Sequence, residues 1–156
     1  MKIPDGYIQD ERGLWLRPEF LKLSEFAKSR ICNGIGAASG LSKHLPSTIW
    51  GLDCSIVGDI HDYDYYIGGT VTDRRVADLV FLHNLYVVID EGIWLLQGVR
   101  KMRARTYFAA LRLGGFMHFN YKNDACKAAD HGEQVESYPT FEEEKAPATD
   151  AKEEQE

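Results

Sequence analysis

The stretch Gly58-Asp59-Ile60-His61-Asp62-Tyr63-Asp64-Tyr65-Tyr66-Ile67 decides how this chain is read. Its pattern predicts a helix from Leu52 to Tyr66, stopped by Gly68 and Gly69. On a helix, His61 and Tyr65 lie one turn apart on a single face. Asp62 points about 100° away from His61, free for a different task. A histidine followed at once by an acid is costly in a segment that must also pack, so the pattern asks for a chemical explanation.

Two further features flank this helix. Downstream lies Thr72-Asp73-Arg74-Arg75-Val76-Ala77-Asp78-Leu79, which starts a helix capped by Thr70 or Thr72, with Asp73 favourable in its first turn. Upstream lies a glycine-rich turn, Cys32-Asn33-Gly34-Ile35-Gly36, within residues 32–48, whose Gly34, Gly36, Gly40 and Pro46 predict a loop. The downstream helix carries apolar Val76, Leu79, Val80, Leu82, Leu85 and Tyr86. It is expected to continue, bent or interrupted near Gly92 and Gly98, to Leu113, with Gly114-Gly115 as its stop. Before the loop, Pro18 suits a helix start, and Phe20, Leu21, Leu23, Phe26 and Ala27 form a stripe reaching Ser29. Residues 1–16, with a turn at Glu11-Arg12-Gly13, suit a small hairpin or an extended arm. The fold class expected is mainly α, a single domain over residues 1–125.

Composition narrows the function. The net charge is −6, but residues 141–156 carry seven acids and two lysines, which leaves the remainder near −1. Such a body has no basic surplus, so no nucleic acid is expected as a partner. Residues 126–156 read as an acidic, disordered tail that offers itself to a protein partner. The three cysteines, Cys32, Cys54 and Cys126, allow one disulfide and no framework of them. With no secretory signal and no run of 18 apolar residues, the expected setting is the cytoplasm or a viral particle.

The chemistry follows from the three pieces. A histidine base needs its second ring nitrogen anchored, and Asp78, 17 residues on and across a Gly-Gly turn, is placed to do it if two antiparallel helices flank that turn. Asp62, turned aside, suits a hard cation, and the turned backbone allowed by Gly34 and Gly36 suits carbonyl ligands to calcium. A cation so held would polarise an ester carbonyl.

The ordered set of an x-Gly-x-Gly loop, His61-Asp62-x-x-Tyr65, and Asp78 within Val76-Ala77-Asp78-Leu79 resembles the secreted phospholipase A2 superfamily. The likeness covers roughly residues 30–90 and is greatest to compact, disulfide-poor branches such as the parvovirus capsid domain. The resemblance implies a phospholipase A2-like pair of antiparallel helices, a glycine-rich calcium loop and an additional C-terminal helix. It implies His61 as the base activating water, Asp78 as its partner, and Tyr65 as a hydrogen-bond donor to Asp78. It also implies calcium held by Asp62 and by main-chain oxygens of Cys32, Gly34 and Gly36, and a phospholipid membrane surface as substrate. The chain departs from the family where Ala37-Ala38-Ser39 follows the loop and where 24 residues separate Gly36 from His61.

Plainer readings stand beside these. Asp53, Asp59 and Asp64 read as solvated helix-face acids, and His44 and His83 as ordinary residues, while His118 and His131 show no pattern. Arg100-Lys101-Met102-Arg103-Ala104-Arg105 reads as a solvated basic face or as a membrane-surface patch joined by Trp15, Trp50 and Trp94. The competing function is a non-catalytic structural or interaction protein, viral or phage in type, on the same scaffold. A metal phosphohydrolase ranks third, because the remaining histidines show no ligand arrangement.

Overall fold

A computed structural model describes residues 2–32 and 47–124, together with 126, 127 and 130. Helices dominate it. In chain order, the β1–β2 hairpin (Ile8–Gln9 and Trp15–Leu16) leads through a 3₁₀ turn, Pro18–Lys22, to α1 (Glu25–Ile31). A second hairpin, β3–β4 (Thr48–Ile49 and Leu52–Asp53), precedes α2 (Ser55–Ile67), α3 (Val71–Asp90) and α4 (Trp94–Gly114).

Helix α2 is the centre of the molecule because three of its sides are covered. Val57, Ile60 and Tyr63, spaced by one turn, enter the main core with Leu14, Phe20 and Leu85. Tyr65 meets Ala77 of α3, and Asp64 turns toward the first hairpin. Helix α2 begins later than its pattern predicts, because Leu52 and Asp53 pair as a strand with Ile49 and Thr48. The Asp53 carboxylate then accepts the Ser55 amide at 2.9 Å and so caps the helix start.

The stop at Gly68 is as predicted, and its cause is visible. Gly68 has φ +70°, and a Cβ there would run into the Asn120 carbonyl. Thr70 caps α3: its hydroxyl accepts the Asp73 amide, and the Asp73 carboxylate accepts the Thr70 amide at 2.7 Å. The expected long third helix is two helices. It breaks at Gly92, where the Arg100 guanidinium crowds the backbone and leaves no room for a Cβ. At Gly98 it runs on unbroken. The helix predicted from Pro18 is also divided, since Leu23 is extended and Ser24 caps α1 through the Ala27 amide.

The first hairpin is fastened to α3 by side chains that imitate a neighbouring strand. The Asn84 amide accepts from the Trp15 N–H and donates to the Trp15 carbonyl, each at 2.8 Å. His83 stacks on the Trp15 ring at 3.7 Å and donates from Nε2 to the Gly13 carbonyl. Trp15 is therefore buried, not part of a surface patch. Asp64 corrects another expectation. Far from being solvated, it is 1% exposed and accepts from Tyr7 Oη and Arg17 Nε, each at 2.9 Å. Burial nevertheless lifts its carboxyl above the ordinary range, against the pull of Tyr7 and Arg17.

Candidate active site

The α2–α3 turn sets the level at which the two helices meet. Across it, His61 lies against Asp78 and Phe81, and Tyr65 lies against Ala77 and Asp78. The two oxygens of Asp78 divide their partners. Oδ1 faces His61 Nε2 at 3.4 Å and accepts from Tyr65 Oη at 2.6 Å. Oδ2 accepts from Arg74 Nη1 at 3.1 Å and Arg112 Nη1 at 2.9 Å. Asp78 is fully buried and His61 6% exposed, while Arg112 keeps a fifth of its side chain in solvent.

Burial pushes the Asp78 carboxyl upward, but the hydrogen bond and charge of His61, the Arg74 charge and the Tyr65 hydroxyl outweigh it. The group sits below its ordinary value. An ionised carboxylate can only accept, so a single ring proton on His61 would reside on Nε2, with the lone pair on Nδ1. That is the arrangement a water-activating base requires. Tyr65 also braces the imidazole by its ring, at 4.1 Å between centroids, while burial and the Asp78 charge keep its hydroxyl protonated.

Behind the dyad lies an ion network that spacing alone does not reveal. Arg74 is fully buried and donates to Asp130 through Nε and through Nη2, the latter at 2.9 Å, and Tyr121 donates to the same carboxylate. Arg74, four residues before Asp78 on α3, is an i,i+4 ion pair that the sequence signals in principle. Arg112 and Asp130, 34 and 52 residues from Asp78, carry no such signal. Asp130, assigned by composition to the tail, is 1% exposed in this network.

Of the expected calcium ligands, Gly34 and Gly36 lie outside the described residues. Cys32 and Asp62 are described. Cys32 ends α1, and its thiol donates to the Asp59 carbonyl on α2 at 3.4 Å. Burial first, then the charges of Asp59 and Asp62, push that thiol up to about 11. Cys32, at the start of the loop, thus lies within reach of the Asp59 and Asp62 charges of α2. Among the described residues, no group of three or more His, Cys, Asp and Glu side chains is gathered for a metal. The three cysteines are free thiols.

Comparison with known protein families, with curated proteins and with solved structures finds no match.

Proposed function

We propose that this chain is a phospholipase A2-like hydrolase that cleaves an acyl ester of glycerophospholipids. The observation carrying this reading is the shared Asp78 oxygen, with His61 Nε2 and Tyr65 Oη on it. In this reading Nδ1 takes the proton of a water molecule as its oxygen attacks the ester carbon. Asp78, held ionised, stabilises the imidazolium that results. The proton then passes from Nδ1 to the departing glycerol oxygen. Asp62 and the main chain of Cys32, Gly34 and Gly36 would hold calcium, which supplies charge stabilisation for the developing oxyanion.

The test is hydrolysis of a fluorogenic phospholipid with calcium or with chelator. Wild type is expected to act only with calcium, and His61→Ala to lose about 10³-fold or more in rate. Equal rates for the two proteins sink the reading.

One observation favours a second reading, a non-catalytic scaffold. Asp78 gives as many bonds to Arg74 and Arg112 as to His61 and Tyr65, and a buried ion network of this kind can serve packing alone. Calorimetric titration separates the two: a scaffold binds no calcium at millimolar concentration, whereas the hydrolase loses its binding in Asp62→Ala.

A further inference from the structure

We infer that the exposed side of α4, with the tip of the β3–β4 hairpin, docks this protein onto anionic phospholipid bilayers. The inference deepens the hydrolase reading, on which it rests for a phospholipid surface as target, yet it uses none of the residues around His61.

Helix α4 exposes an apolar stripe. Leu95, Val99 and Met102, spaced by four and three residues, lie on one outward face, while Arg100, Ala104, Tyr107 and Phe108 are buried on another. At about 100° per residue, Arg103 and Arg105 fall on opposite flanks of that stripe, about 80° to either side of Leu95. The helix holds five basic residues, Arg100, Lys101, Arg103, Arg105 and Arg112, and no acid. An apolar stripe between two cationic edges is what a helix lying in a bilayer interface presents. No described helix is long and apolar enough to cross a membrane, so α4 would lie on the surface.

The stripe continues past the helix start. Trp50, Ile93, Trp94 and Leu95 are each at least 63% exposed. Trp50 is also the one non-glycine residue with positive φ among those described, +49°, followed by Gly51 at +76°. Two positive φ values mark the primed two-residue hairpin turn, whose first place favours asparagine. An exposed indole in that place is suited to the headgroup level of a membrane. Arg100 Nη2 donates to the Trp50 carbonyl at 2.9 Å and ties the hairpin tip to α4.

Charge chooses the occupant. The positive charge that faces outward is that of Arg103 and Arg105, exposed on the two flanks of the stripe, while Arg100 is buried behind it. The acids at the end of α3 are engaged, Asp90 by Lys101 and Glu91 by Arg12, each at 2.7 Å. Asp53 of β4 accepts from Ser55 and keeps its negative charge. Lipid phosphates meet the exposed Arg103 and Arg105, and the indoles enter among the headgroups.

The test is co-sedimentation of the full chain with diether phosphatidylcholine vesicles, with and without phosphatidylglycerol. Ether lipids keep binding separate from hydrolysis. Binding is expected only with phosphatidylglycerol and weakens as salt rises. Trp50→Asn, which suits the turn and keeps the fold, lowers partitioning about tenfold. Arg103→Ala with Arg105→Ala lowers it about fivefold per arginine. His61→Ala binds as wild type. The inference is overturned by absent binding, by equal binding to neutral vesicles, or by variants that bind as wild type. It is also overturned if Trp50→Asn abolishes a dimer seen in ultracentrifugation, which would make the patch a self-association face. Binding without ester cleavage keeps this inference and removes the hydrolase reading; cleavage of a soluble short-chain ester without binding does the reverse.

Discussion

Asp78 concentrates the physics of this protein in one side chain. A carboxylate taken out of water is costly, and four donors, two of them arginines, offset that cost. Because its folded value lies below the ordinary 3.8, Asp78 contributes stability that is complete above that value. The contribution is lost as pH falls below 3.8 toward the depressed folded value, since the unfolded chain there binds the proton more readily. Asp78→Asn is expected to cost about 3 kcal/mol at neutral pH and to flatten the acid limb of stability against pH. Urea unfolding between pH 2.5 and 7 measures both; an unchanged acid limb would show that Asp78 titrates normally.

At the scale of elements, the site depends on what lies behind Tyr65. Gly115, just past the end of α4, is buried against the Tyr65 hydroxyl, and a methyl group added there would occupy the place of that oxygen. Gly115→Ala is expected to lose about 2 kcal/mol through overpacking. It should also free Tyr65 from Asp78, which would appear as a Tyr65 hydroxyl titrating nearer its ordinary value of 10.0. Ultraviolet titration of the phenols checks this, and a variant as stable as wild type would contradict the packing argument. The glycine pair at 114–115 reads in the sequence only as a helix stop. Its second task, making room for a tyrosine fifty residues earlier, is invisible to local pattern.

Over the whole molecule, the segment that follows α4 closes the structure. Asn120 and Lys122 exchange main-chain bonds with Gly69, and Asn120 donates to the Tyr65 carbonyl, so the α2–α3 turn is held from outside. Asp130 then reaches back to the fully buried Arg74. A chain ending after residue 122 is expected to lose at least about 3 kcal/mol, because Arg74 keeps its burial and loses a carboxylate. The full chain is the reference. Thermal unfolding of the two decides it; equal melting would show that Asp130 contributes little.

The helical class and the stop at Gly68 were legible in the sequence, while the hairpin at residues 1–16 and the cap at Thr70 each stood there as one of two alternatives. They depend on short-range rules: side-chain period, backbone freedom at glycine, and hydroxyl caps on free amides. The meeting of His61, Tyr65 and Asp78 was legible for the same reason, since a short turn between two helices leaves few registers. The burial of Asp64, the unbroken run of α4 through Gly98, and the places of Arg112 and Asp130 in the network around Arg74 and Asp78 belonged to the tertiary structure alone. Buried charges find partners by position in space, and residues far apart in the chain become neighbours only after the helices have packed.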